Sequence, residues 1–208
     1  MRAMSSNPKV RVALSLALVL SALASGCGGS SSKSSSTSSG SSPSSPSALA
    51  ADAKSAATGD IPDNQNFLVY RDKRVGFSIK YPEGWAQKKT ATGISFQDKN
   101  NLVRVDVHKG AAPTAASVTA DLKKLKASSP TLKAQTPTSV SLKSGPAIKV
   151  TYTTTSAPNP VTGKRVVLMV DRYELAKKGR AAVIDLGTPT GVDNVDAYRL
   201  MSESFTWL

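Results

Sequence analysis

The sequence predicts an α+β domain, an antiparallel β-sheet flanked by helices, over residues 66–208. Three observations predict it. Apolar residues recur with a period of two in a series of short runs, the mark of half-buried strands. The period changes to three and four in only two segments, one midway and one near the end. Most of the strand-like runs are joined by links of hairpin length, which suit antiparallel neighbours and are too short for parallel crossovers.

The elements follow in order along the chain. Phe67 to Arg71 reads as a strand, Asp72-Lys73-Arg74 as a turn, and Val75 to Tyr81 as a second strand with Val75, Phe77, Ile79 and Tyr81 on one face. Pro82-Glu83-Gly84 stops that run, and Trp85 to Lys89 reads as a third strand. Gly93 to Gln97 places Ile94 and Phe96 inward; Leu102 to His108 alternates Val103, Val105 and Val107 with Arg104, Asp106 and His108. Thr114 to Ser128 is helical, with Val118, Leu122 and Leu125 on one side, Ser117 or Thr114 as cap, and Pro130 beyond its end. Four extended runs come next: Ser139 to Leu142, Ala147 to Thr155, Arg165 to Leu175 and Arg180 to Leu186. Their connections include Asn159-Pro160-Val161-Thr162-Gly163 and Lys177-Lys178-Gly179, both hairpin-like. Asp193 to Ser202 reads as a second helix, capped by Asp193 and turning Val195, Tyr198 and Met201 inward; Ser204 to Leu208 is an apolar closing tail.

The segments before this domain have a different character. Arg2, Lys9 and Arg11 precede Val12 to Ala24, an apolar run of 13 residues. Spanning a bilayer takes about 20 helical residues, so this run fits the h-region of a secretory signal peptide over residues 1–26. Ala24-Ser25-Gly26-Cys27 resembles a bacterial lipobox, with Ala24 where leucine is usual. That resemblance implies lipidation of Cys27 and cleavage just before it. Two or more acyl chains would supply the second signal that stable anchoring needs. Gly28 to Ser47 contains 13 serines in 20 residues, and the small, polar composition continues to Gln65. Such a segment buries too little apolar area to offset the cost of ordering it. Residues 27–65 are therefore the lipidated cysteine and a flexible tether, reaching roughly 35 Å in the root-mean-square sense.

Composition narrows the function. The chain of 208 residues has one cysteine, Cys27, and one histidine, His108, so a disulfide framework and motifs that need two cysteines or two histidines are excluded within a single chain. Its formal charge is +13, and removal of residues 1–26 leaves 24 basic against 14 acidic side chains, or +10. Residues 66–208 alone carry 22 basic and 11 acidic residues, or +11, so the charge belongs to the folded domain.

Gly76-Phe77-Ser78-Ile79-Lys80-Tyr81-Pro82-Glu83-Gly84-Trp85, with the closing Ser204-Phe205-Thr206-Trp207, resembles the PsbP-like domain, a family that includes Mog-type Ran-binding proteins. The resemblance covers Asn66 to Leu208 and implies an antiparallel sheet sandwiched between helices. Functions in the family diverge, from a photosystem II extrinsic subunit to a Ran partner. The lipobox and tether resemble those of its actinobacterial envelope lipoproteins of the LpqN type. The resemblance carries over no metal or cofactor site.

Candidate chemistry is sparse. His108 is the one histidine available as a general base, and it lies on the polar side of its strand beside Lys109-Gly110. Asp106, Asp171 and Asp185 fall near strand ends, where they would either gather round a cation or partner exposed lysines. Trp85 reads as core packing at the sheet edge, with stacking on a ligand as its alternative role. The basic groups are more informative: Lys123, Lys124 and Lys126 on one helix, and Lys177, Lys178 and Arg180 on one hairpin. They form a candidate patch for an anionic partner. The expected function is a non-catalytic binding domain on the extracytoplasmic face of a membrane, held there through Cys27. Its expected partners are an envelope protein or anionic polymer, with no nucleic acid and no cofactor. An envelope-acting hydrolase or transferase using His108, and a protein holding a small apolar ligand between sheet and helix, are the alternatives.

Overall fold

The structure is a computed structural model, and it describes residues 59–159 and 163–208. Cys27, the apolar run before it and the serine-rich segment lie outside the described residues. So do the central residues of the Asn159–Gly163 connection.

Eleven strands and two helices occur among the described residues. They are β1 (Phe67–Asp72), β2 (Phe77–Pro82), β3 (Ala86–Lys89), β4 (Gly93–Asp98), β5 (Asn101–Lys109), α1 (Ala115–Ser128), β6 (Lys133–Ala134), β7 (Thr138–Leu142), β8 (Gly145–Thr155), β9 (Val167–Lys177), β10 (Arg180–Pro189), α2 (Val195–Ser204) and β11 (Thr206–Trp207). Every strand pairing is antiparallel. The main sheet runs β3-β4-β5-β10-β9-β8-β6, with β7 also on β8, and a smaller sheet runs β1-β2-β11. The α+β expectation holds, with one addition: the first hairpin leaves the main sheet and pairs instead with the closing tail.

Strand alternation sorts the side chains into two cores. Ile94, Phe96, Val103, Val105, Ala182, Ile184 and Leu186 line one face of the main sheet, and Phe77, Ile79, Tyr81, Tyr198, Met201 and Phe205 close over them. Stacking of Tyr81 on Phe96, with ring centroids 4.3 Å apart, joins the two sheets. On the opposite face, Ile148, Val150, Tyr152, Leu168 and Val170 receive Val118 and Leu122 of α1 together with Leu132. Of the two caps the sequence offers for α1, Thr114 takes the N-cap position, and Ser117 completes a reciprocal capping box with it. Two glycines are required by their surroundings. A Cβ at Gly93 would lie 1.9 Å from the Val105 carbonyl oxygen. Gly76 has φ 81°, and a Cβ there would meet the Arg180 guanidinium at 2.0 Å.

Three expectations are corrected, and one further strand appears. Val195 is 67% exposed rather than inward, because α2 begins at that residue and its first turn overhangs the core. The N-cap position is Asn194, and the Asp193 carboxylate instead accepts from the Val195 N–H at 3.2 Å. Trp85 precedes β3, and every residue of β3 is exposed, as suits a short, lysine-bearing edge strand. The two-residue strand β6 has too short a run for periodicity to reveal.

Packing also extends before Asn66. Ile61 is buried, and its N–H donates to Asn194 Oδ1 at 2.8 Å. Asn194 Nδ2 reaches the Gly59 carbonyl at 3.1 Å, Asn101 Oδ1 at 3.2 Å and Thr188 Oγ1 at 2.9 Å. Asn101 Nδ2 donates to the same Gly59 carbonyl. A buried asparagine thus ties residues 59–61 to β5, β10 and the start of α2. This commitment explains why Asn194 makes no side-chain cap to its own helix. Asn194→Ala would leave several of these buried groups without partners, and we expect a loss of about 2–4 kcal/mol in denaturant unfolding.

Candidate functional site

A buried cluster of charged side chains lies on the α1 side of the main sheet, across its central strands. Register places Arg104 of β5 and Arg172 of β9 on either side of Asp185 of β10. Arg172 grips Asp185 through Nε at 2.7 Å and Nη2 at 3.0 Å, and Arg104 Nη2 donates to it at 2.5 Å. Arg104 also faces Asp106 at 3.4 Å, and Arg172 faces Glu174 at 3.7 Å. The Arg172 guanidinium lies over the Tyr152 ring, 5.6 Å from its centroid.

Burial acts against every charge here. It pushes the Asp185 carboxyl up, but the hydrogen bonds and charges of Arg172 and Arg104 outweigh it and hold that group below the usual carboxylate range. Glu174 goes the other way: burial raises it more than Arg172 lowers it, and Asp121 of α1 and Asp185 add to the rise. Its Oε1 is buried with no hydrogen bond. This cluster is an internal ion network rather than a cation site, which corrects the grouping of Asp106, Asp171 and Asp185. Asp171 is spent on Lys149 at 2.8 Å and Thr151 at 2.6 Å. Asp185 is 1% exposed and pairs with arginines, not with exposed lysines.

The other predicted residues separate. Lys123, Lys124 and Lys126 are exposed on α1, because Val118 and Leu122 claim the buried side. Lys124 pairs with Asp121 at 2.9 Å, and Lys126 complements the negative end of the helix dipole. Lys177 and Lys178 are exposed at the β9–β10 turn, where φ of 52° at Lys178 and 75° at Gly179 fits the twist of a tight hairpin. Arg180 does not belong with them. Its guanidinium donates to the Val75 carbonyl at 3.2 Å and the Leu208 carbonyl at 3.1 Å, and it lies 5.0 Å from the Trp207 ring centroid. It clamps the C-terminal strand to the first hairpin. Gly110 N–H donates to the Gly179 carbonyl at 3.0 Å, so the hairpin meets the chain just before α1. The α1 lysines lie two to three turns along the helix, about 15 Å away. The predicted patch is two clusters, one near each end of α1.

Trp85 is 7% exposed and packs in the main core, so its ring is not presented for stacking on a ligand. His108 is exposed on β5, on the same side as Asp106, whose carboxylate is held by Arg104 and by Thr92 at 2.8 Å. Two concavities are also present. A 460 Å³ cavity lies between Ala112-Pro113 and the β7–β8 hairpin, lined by Val140, Pro146, Ala147 and Ile148 with Ser139 and Ser141. A 650 Å³ groove lies between residues 60–67 and the start of α2.

These layers make an antiparallel α+β fold, and the likeness to PsbP expected from the Gly76–Trp85 motif is seen at the level of that fold. Cyanobacterial PsbP (CyanoP) from Synechocystis matches at a TM-score of 0.53 and 16% identity, over 72% of this chain and 98% of that one. The Ran-binding protein Mog1p of Saccharomyces cerevisiae matches at 0.42 and 12% identity, over 68% and 95%. A protein of unknown function from Pseudomonas aeruginosa matches at 0.38 and 15% identity, over 64% and 92%. No family model matches the chain. No curated protein matches it in sequence.

A pH dependence follows from the network. A carboxyl raised on folding binds more protons in the native state, so its contribution to stability falls as pH rises from its unfolded to its folded value. Glu174→Gln removes that charge while keeping the shape. We expect the variant to be the more stable at neutral pH, with the advantage disappearing on acidification below the usual carboxylate range. Urea midpoints across pH measure this, and a variant equal to or weaker than wild type at neutral pH would contradict it.

Proposed function

We propose that this chain is a lipid-anchored extracytoplasmic protein, of the LpqN-like envelope kind, whose PsbP-type domain binds a partner and performs no chemistry of its own. The observation that carries the binding reading is the outward display of α1. Its buried side is spent on the sheet, and Lys123, Lys124 and Lys126 all point to solvent in a domain where residues 59–208 carry 22 basic and 13 acidic side chains. Those lysines suit an anionic envelope polymer or an acidic protein surface, and Lys177-Lys178 offers a second contact beyond the other end of the helix. Export by a signal peptide would separate the domain from nucleic acid.

The anchoring half of the reading is supported by the sequence alone. The lone cysteine follows an apolar 13-residue run by two small residues and precedes the serine-rich segment. Diacyl attachment at Cys27 would hold the domain at the outer face of the membrane, with the tether setting its reach.

Two measurements test the two halves separately. In cells fed a clickable fatty acid, the wild-type chain should carry label and Cys27→Ala should not; equal labelling would overturn the anchor. In crosslinked cells, pull-down at low salt should recover a partner that high salt releases, and reversal of Lys123, Lys124 and Lys126 to glutamate should abolish recovery. Recovery of no partner at either salt would overturn the binding reading.

The 460 Å³ cavity favours a second reading, a small apolar ligand held between the Ala112-Pro113 segment and the β7–β8 hairpin. Native mass spectrometry of protein isolated from its own cells should then show a bound mass. Ser139→Trp, at an exposed lining position, should fill the cavity and remove that mass.

A further inference from the structure

The 650 Å³ groove beside α2 has the opposite sign to the rest of the domain. Asp60 and Asp63 stand on one wall and Asp193 and Asp196 on the other, while Phe67, Ala197 and Leu200 supply apolar surface between them. Leu200 is 38% exposed. Val69 is 54% exposed and lies two residues along β1 on the same face as Phe67, so the apolar strip continues out of the groove.

Charge pairing sets this groove apart. Elsewhere most carboxylates have an ion pair, Asp72 with Arg74, Asp106 with Arg104, Asp121 with Lys124, Asp171 with Lys149 and Glu203 with Lys143, while Glu83 and Asp98 stand apart from one another and from the groove's apolar lining. Around the groove only Asp196 has an ion pair, with Arg199 at 2.8 Å; Asp60, Asp63 and Asp193 have none among the described residues. The walls do not open freely to relieve their mutual repulsion, because the buried Asn194 ties Gly59 and Ile61 to the start of α2. Like charges are thus held around an apolar floor by a rigid support, which is preorganisation for a ligand that brings both cations and apolar side chains.

We propose that this groove docks a cationic, apolar-bearing peptide segment of a partner protein, with lysine or arginine side chains on the aspartates and an aliphatic side chain on Phe67 and Leu200. The proposal is independent of the lysines of α1, which are suited to anions. A peptide of this kind is repelled by the domain as a whole, since residues 59–208 carry a net +9, so its binding must come from the groove.

The probe is a fluorescein-labelled Lys-Leu-Lys-Leu-Lys-Leu peptide titrated into the full chain, with Glu-Leu-Glu-Leu-Glu-Leu as control. Saturable binding of the lysine peptide is expected. It should weaken about tenfold in Asp60→Asn/Asp63→Asn/Asp196→Asn and at high salt, and also in Leu200→Ser. Asp98→Asn, away from the groove, should leave it unchanged. Absence of saturable binding, equal affinity in the triple variant, or binding of the glutamate peptide to wild type as tight as that of the lysine peptide would overturn the proposal. A photo-crosslinker at position 200 in cells names the occupant. Capture of a partner at a lysine- or arginine-rich segment supports the proposal, while capture of residues preceding Gly59 or of a second copy of this chain overturns it. Lysine reversal on α1 would leave the peptide titration intact, so failure here and failure of the anion-binding reading are separable.

Discussion

Three central strands of the main sheet meet at Asp185. Its carboxylate is almost completely buried on β10, where an unpaired charge would be untenable. Arg172 from β9 and Arg104 from β5 converge on it from the two neighbouring strands. The three residues are directly paired in register, so slipping either strand by one residue would turn its arginine to the other face. Apolar alternation decides which face of a strand is buried, whereas this ion pair singles out one alignment along the strands. The cost of desolvating these groups makes the network a device of specificity as much as of stability.

A second polar centre performs a similar task at the domain edge. Asn194 and Asn101 hold Gly59, Ile61 and Thr188 together at the base of α2. Arg180, clamped on Val75, Gly76 and Leu208, does the same for the closing strand. The Gly76 of the sequence motif is explained by this clamp, since a side chain there would occupy the guanidinium's place. The small sheet is therefore pinned, at the β1–β2 turn and at its closing strand, by a side chain distant in sequence.

Charge is distributed according to the same logic. Many carboxylates are consumed by cations inside the fold, which leaves lysines dominant on α1 and on the β9–β10 turn. The acidic groove at α2 is the counterpart of that arrangement. Two surfaces of opposite sign on one domain are what the proposed binding role would use.

The amino-acid sequence by itself determined the strands with strict alternation, the start of α1 near a Thr114 or Ser117 cap, the Lys177-Lys178-Gly179 hairpin and the antiparallel α+β class. These depend on local periodicity, on caps and on backbone preferences, which neighbouring residues specify. It also carried the Cys27 junction and the serine-rich segment, which are patterns of composition. Only the tertiary structure decided that Asp185 is an ion-network centre, that Arg180 is a clamp and not part of a basic patch, and that Trp85 is core. It alone brought Asp60 and Asp63 beside Asp193 and Asp196, which lie 130 or more residues away along the chain. A charged side chain reads the same in sequence whether water or a strand partner surrounds it. Its role is fixed by cross-strand register and burial, and these exist only once the sheet has closed.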